Sequence, residues 1–171
     1  MASQTTAVIV NWNGARFLKP LLESLGGENL AATILIDNAS EDDSLKVAGV
    51  HREIRLIRNE ANVGFGVAAN QGIDSSQTPY VLILNADTEI VAGAVNELEQ
   101  FLSNHPEAAI VAPKLLFSDG KLQSSCRTFP TILKYTLFLS YLDRVIPTGY
   151  RLSKKEHACL REVDQPMGAA L

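Results

Sequence analysis

The sequence predicts an α/β fold, a mostly parallel sheet with helices on both faces. Three observations predict it. Short apolar, partly β-branched runs alternate with stretches of helical period. The runs are close to continuously apolar, as strands covered on both faces require. Most of them stop at clusters of Asn, Asp and Gly, the residues that turn a chain out of a sheet.

Taken in order, "TTAVIV" (5–10) reads as the first strand and "ARFLKPLLESL" (15–25) as a helix with Phe17, Leu18, Leu21, Leu22 and Leu25 on one face. "TILID" (33–37) is the second strand, and Ser40-x-x-Asp43 has the spacing of a capping box that opens a short helix up to Val50. "EIRLIR" (53–58) is a third, more exposed strand, and "FGVAANQGIDSS" (65–76) is helical. "YVLIL" (80–84) is the fourth strand. "AVNELEQFLSN" (94–104) is amphipathic through Val91, Val95, Leu98, Phe101 and Leu102, and "AAIVAP" (108–113) reads as a fifth strand. The pattern then changes. Residues 114–125 form a hairpin turning at Asp119-Gly120, residues 129–147 hold a helix ended by Pro147, and residues 149–162 read as a charged, mobile loop. This divides the chain into an α/β core, 1–113, expected to carry the ligand, and a second region, 114–171.

Composition excludes several function classes. A net charge of −4 gives no basic excess, so binding to nucleic acid through phosphate neutralisation is not expected. The two cysteines, Cys126 and Cys159, form no C-x-x-C and have no histidine pair near them. That argues against a zinc site and a disulfide framework, and fits a reducing compartment. Residues 1–15 lack the pattern of a signal peptide. The apolar stretch "TILKYTLFLSYL" (131–142) contains Lys134 and falls short of the ~20 residues that span a bilayer. It reads first as core packing, with peripheral membrane contact as the alternative. The expectation is a cytoplasmic protein, with the inner face of the membrane as the variant. His51, His105 and His157 are scattered and read as surface residues.

In parallel sheets ligands sit beyond the carboxyl ends of the strands. Here those ends are Asn11–Gly14, Asp37–Ser40, Asn59–Gly66 and Asn85–Thr88, all rich in Asn or Asp. Asp87, flanked by Asn85 and Thr88, could hold a hard divalent cation whose other ligands come from a diphosphate. Asn85 could reach a ribose hydroxyl, and Ala86 leaves space. Asp37 could accept from the ring N–H of a pyrimidine base. Asn11, Trp12 and Asn13 could line the base and ribose pocket, with Trp12 as a packing surface. Gly64 and Gly66 allow close backbone approach. Each of these also has a structural reading as a turn former or helix cap.

Gly64-Phe65-Gly66-Val67-Ala68-Ala69 matches a dinucleotide fingerprint, with Asp87 downstream. The context fails. The first glycine should follow its strand directly, whereas Asn59 to Val63 intervene. A receiver domain would want an acidic pair after the first strand, where this chain has Asn11-Trp12-Asn13.

"VIVNWNG" (8–14), "ILIDNASEDDS" (34–44), "NVGFGVAANQGI" (62–73) and "YVLILNADTEI" (80–90) resemble, in order and spacing, family 2 of the nucleotide-sugar glycosyltransferases, of GT-A (Rossmann-like) fold. "SSCRTFPT" (124–131) and "REVDQPMGAAL" (161–171) resemble its rhamnosyltransferase-like branch. The resemblance implies that Asn85-Ala86-Asp87 stands in place of the family's D-x-D motif, with Asp87 holding Mg2+ or Mn2+ on the donor diphosphate. Asn85 departs from the usual aspartate and leaves one charge fewer for the metal. Asp37 and Asn38 would lie at the base, and Asn11, Trp12, Asn13, Gly64, Phe65 and Asn70 around the nucleotide. The implied activity is transfer of a sugar with inversion, from a UDP- or dTDP-sugar (dTDP-rhamnose among them) to a glycan or lipid-linked acceptor. In the family the general base, one of an acidic pair, lies downstream of "GAAL". The expectation is therefore that this chain is the donor-binding portion, catalytically incomplete, with 1–113 as the nucleotide-sugar-binding core, 114–171 as the incomplete start of a further, acceptor-side part, and the base beyond Leu171. The alternative is a non-catalytic nucleotide-sugar-binding or interaction module of the same fold.

Overall fold

A computed structural model describes residues 3–142, 148–166 and 168–170. The chain divides into two compact units, Met1–Val111 with Gly168–Leu171, and Ala112–Met167.

The first unit is a four-stranded parallel sheet. Its strands are β1 (Thr5–Asn11), β2 (Ala32–Asp37), β3 (Arg55–Arg58) and β4 (Tyr80–Asn85), in the order β3-β2-β1-β4. Between and after them run α1 (Ala15–Leu25), α2 (Ser44–Ala48), α3 (Phe65–Ser75) and α4 (Ala94–Asn104). β1 is central and buried along its whole length. Side chains alternate across a strand. Val8, Val10, Ile34 and Ile36 therefore share one face, where they pack with Ala68 and Ala69 of α3. Ile9 and Leu35 point the other way and are as fully buried. α1 buries Leu18, Leu21, Leu22 and Leu25, each contributing about 1.5–3 kcal/mol by leaving water. Phe17 is turned outward instead, its ring under the Arg16 guanidinium at 4.3 Å. α4 begins at Gly93 (φ 84°), and its free N–H groups are met from a distance: Glu28 accepts from Gly93 N at 2.7 Å and Val95 N at 3.1 Å.

Two expectations for this unit fail. Ser40 and Asp43 form no capping box, because Asp43 makes no side-chain cap and Ser40 is engaged elsewhere. Nor do residues 108–113 form a strand. Residues 109–111 line an apolar cavity of ≈160 Å3 together with β4 and α4. Apolar composition alone does not supply the backbone partner that a strand needs. β4 is bridged instead by the chain's last residues, running antiparallel: Leu84 pairs with Ala170, and Asn85 N donates to Ala169 O at 3.1 Å.

In the second unit the hairpin is present as a Leu116–Leu122 bridge with Gly120 at φ 78°. β5 (Cys126–Arg127) pairs antiparallel with β6 (Gln165–Pro166), and α5 spans Ile132–Leu139. The helix expected over 129–147 thus ends at Leu139, and its predicted stop at Pro147 lies outside the described residues. The segment read as a mobile charged loop is anchored. Tyr150 and Leu152 are buried, and their backbone pairs with Cys126 and Thr128. His157 is half-buried rather than a surface residue: its Nε2 accepts from Ser125 N and Cys126 N, both at 3.1 Å. Among the described residues no helix is long and apolar enough to cross a membrane.

Candidate functional site

Parallel register puts three strand ends side by side. Asn11 lies opposite Asp37, and Val10 opposite Asn85. The polar residues that leave β1, β2 and β4 therefore form one rim at the carboxyl edge of the sheet. The two residues nearest its centre are buried: Asn11 is 0% and Asp37 1% exposed. Burying a carboxylate is costly unless it is hydrogen-bonded. Asp37 meets that requirement on both oxygens, Oδ1 accepting from Asn11 Nδ2 and Oδ2 from Ser40 N, each at 3.1 Å.

Ser40 then ties the rim together. Its Oγ accepts from Asn11 Nδ2 (3.1 Å) and from Asn13 N (2.9 Å). Asn13, in the left-handed region at φ 51°, accepts on Oδ1 from Glu41 N at 2.8 Å. Asp42 accepts from Ala15 N at the start of α1 and from Ser44. Partial burial would raise its pKa, but the hydrogen bonds from the Ser44 hydroxyl, Ala15 N and Ser44 N outweigh that and hold it below the ordinary 3.8. Gly14 is needed by space: a β-carbon there would collide with Asn11 Oδ1 and lie 3.2 Å from the Ala86 methyl. Ala86 thus packs over Gly14. Among the described residues Asn11 Oδ1 is the one buried side-chain polar atom without a partner.

A second network of amides holds the loop between β3 and α3. Asn38, 2% exposed, donates to Asn62 Oδ1 (2.8 Å) and accepts from Asn59 Nδ2 (3.1 Å) and Val63 N (3.0 Å). Asn59 and Gln71 exchange two hydrogen bonds, each 3.0 Å. Asn62 Oδ1 also accepts from Gly64 N at 2.9 Å. The loop is thereby delivered to Gly64, whose φ of 83° is one that L side chains avoid. Neither Gly64 nor Gly66 has anything within 4 Å of where a β-carbon would stand.

The sequence-predicted residues thus fall into two sets. Asn11, Asp37 and Asn38 are buried in the frame. Trp12 (59% exposed), Asn13, Gly64, Phe65, Asn70 and Asp87 are open to solvent, with Asn85 and Ala86 half-buried. Ser40, Asp42, Asn62 and Gln71 were not singled out as site residues, yet they hold the rim. The capping-box spacing concealed the role of Ser40, while Asn62 and Gln71 stand inside the motif that carries the resemblance. Among the described residues no three His, Cys, Asp or Glu side chains gather to hold a metal. Asp87 has no hydrogen-bond or ion-pair partner there. A lone exposed carboxylate in the turn that follows a strand fits a cation that draws its other ligands from diphosphate and water.

Fold and rim together define the class, an α/β protein of GT-A type. Solved structures agree on the fold. Staphylococcus aureus TarS 1-349 in complex with UDP is similar at TM-score 0.56 and 16% identity, covering 68% of this chain and 40% of that one. The mannosyltransferase PcManGT from Pyrobaculum calidifontis, in complex with GDP-Man and Mn2+, is similar at TM-score 0.54 and 16% identity, covering 78% and 38%. The chain belongs to glycosyl transferase family 2, whose model matches residues 6–153. It is also similar to the N-acetylglucosaminyl-diphospho-decaprenol L-rhamnosyltransferase of Mycobacterium tuberculosis, 30% identical over 132 residues that cover 70% of this chain and 42% of the relative. The chain therefore spans less than half the length of that relative.

Proposed function

We propose that this chain binds the nucleotide-sugar donor of a glycosyl transfer, with UDP- or dTDP-linked sugars, dTDP-rhamnose among them, as the candidate donors. The acceptor of the whole protein is then a glycan or a lipid-linked saccharide. The observation that carries the reading is the alignment of the β2, β1 and β4 ends into one rim in a family 2 member. Buried Asn11, Asp37 and Asn38 frame that rim, while Trp12 and Asp87 stand open on it.

In this reading the exposed Trp12 indole offers a flat surface to the base, and Gly64 and Gly66 leave room for backbone approach to the donor. Asp37 is the candidate acceptor for a ring N–H of the base; since it is 1% exposed and bonded on both oxygens, that contact requires the Asn11 or Ser40 bond to be displaced. Asp87 would hold Mg2+ or Mn2+. When bound, the cation supplies charge stabilisation to the leaving diphosphate. Structural neighbours with bound Mn2+ support that expectation.

Calorimetry with UDP and dTDP, with Mn2+ or with EDTA, tests the reading. A pyrimidine diphosphate should bind only with metal, and Asp87→Ala should abolish binding while leaving the fold intact. Binding that ignores both the metal and Asp87 would remove the donor-site assignment.

A further inference from the structure

The second unit presents a surface of a different character from the first. Residues 112–167 carry nine Lys or Arg and five Asp or Glu, a net +4, whereas the rest of the chain carries six and fourteen, a net −8. On this cationic unit lies α5, an apolar helix none of whose residues is buried. One side of α5 is seated: the Phe138 ring meets Tyr150 edge-on at 5.3 Å, under the guanidinium of Arg127 at 5.3 Å and that of Arg151 at 4.9 Å. The other side is bare. Ile132 is 90% exposed, Leu133 69%, Leu139 59% and Tyr135 46%, and none of the helix's residues is buried.

At 3.6 residues per turn these four side chains, with Thr136, share an arc of about 160°. The Thr136 and Ser140 hydroxyls on this side turn back to the helix backbone. Thr136 Oγ1 donates to Ile132 O at 2.8 Å and Ser140 Oγ to Leu137 O at 3.0 Å, so their donors are satisfied within the helix. Phe129, Tyr141 and Leu142 extend the exposed apolar surface at both ends. A contiguous apolar patch of this kind marks a contact surface. The charge of the unit says which. A second copy meeting this face with the same face would set +4 against +4, whereas an anionic bilayer complements it, attracting the basic residues while the apolar face enters the headgroup boundary.

We propose that α5 and its flanks dock this protein on the surface of an anionic membrane. The helix lies in the interface and does not span it. The inference is independent of the donor-site reading, since no rim residue takes part.

Vesicle flotation of the full chain tests it. Vesicles of phosphatidylcholine with phosphatidylglycerol should retain the protein roughly tenfold better than phosphatidylcholine alone, and high salt should erase most of that preference. The double variant Ile132→Asp, Leu139→Asp should lower retention roughly tenfold or more. Both side chains are exposed, so circular dichroism should be unchanged. Val50→Asp, an equally simple change at a 79% exposed apolar residue of the first unit, should have no effect. Lys154→Glu with Lys155→Glu should weaken retention only on the anionic vesicles. The proposal is overturned if phosphatidylglycerol vesicles do not retain the chain, or if Val50→Asp reduces retention as much as the α5 variant. It is equally overturned if sedimentation reveals a dimer that the α5 substitutions dissolve while vesicles are ignored, because the face then belongs to a second copy.

Discussion

Asn11 Nδ2 donates to Asp37 Oδ1 at 3.1 Å across the ends of two adjacent parallel strands, and neither residue is more than 1% exposed. With Ser40 N on Oδ2, Asp37 accepts on both oxygens. An amide cannot replace it, because its NH2 would face either Asn11 Nδ2 or Ser40 N. Asp37→Asn, although isosteric, should therefore cost about 1–3 kcal/mol in urea unfolding. Asn11→Ala should cost about 2 kcal/mol, since it strips a donor from a buried carboxylate. The double variant should lose less than the sum, as residues sharing one bond do. Strict additivity would mean that the pair is not coupled.

The amide network around Asn38 makes a local prediction. Asn38→Leu removes the acceptor for Asn59 Nδ2 and Val63 N and the donor to Asn62. Amide exchange at Val63 and Gly64 should accelerate by ten- to a hundredfold, which is about 1.4–2.8 kcal/mol of local opening. Exchange within β1, which lies outside the network, should change much less. If protection at Val63 is untouched, the loop is held by something other than Asn38.

Much of this architecture is legible in the sequence, and the parts that are not share a cause. β1 and α1 are clear because burial on every face or along one stripe leaves a pattern in residue type alone. Residues 108–113 have the same apolar look as a strand, yet form none, and 109–111 line a cavity instead, because pairing depends on where a neighbour's backbone lies. Tyr150 and Leu152 are buried beside Lys154, Lys155 and Glu156, and the charges masked the anchors. Asp37 and Asp87 look alike as aspartates at strand ends. Only register and loop contacts make the first a buried frame residue and the second an exposed one.

Asp42 gives the rim a defined acid dependence. Partial burial opposes ionisation, but the bonds from Ser44 and Ala15 hold its folded pKa below the ordinary 3.8. Between the two values the unfolded chain binds more protons than the native one, so stability rises with pH there. The contribution is complete above the ordinary carboxylate value and is lost as pH falls through the lowered one. Amide protection of Ala15 and Ser44 should follow that curve, and Asp42→Asn should flatten it. Equal acid sensitivity in the variant would assign the effect to another carboxylate.

Gly72 sets the spacing between α3 and the sheet. A β-carbon there would sit 2.9 Å from Ile36 Cδ1 and closer still to Val8 Cγ1. Alanine is the better helix former by up to about 1 kcal/mol, whereas forcing a methyl into a packed core costs about 1–3 kcal/mol. Packing should win, so Gly72→Ala should lower Tm. A rise in Tm would mean that α3 can shift outward at little cost.

Trp12 is the sole tryptophan of the chain and stands 59% exposed on the rim, so it is both a candidate contact and a built-in probe. Nothing in the core depends on it, and Trp12→Ala should change unfolding free energy by no more than about 0.5 kcal/mol, as surface substitutions do. Its effect on binding should be larger. Stacking a base on an aromatic ring contributes about 1–3 kcal/mol by alanine substitution, so nucleotide affinity should fall roughly 5- to 150-fold. In the unaltered chain UDP or dTDP should shift or quench the Trp12 fluorescence with the same midpoint that calorimetry gives. Asp87→Ala should abolish that response without altering the emission of the free protein. A full calorimetric titration with no change in Trp12 emission would place the base elsewhere on the rim.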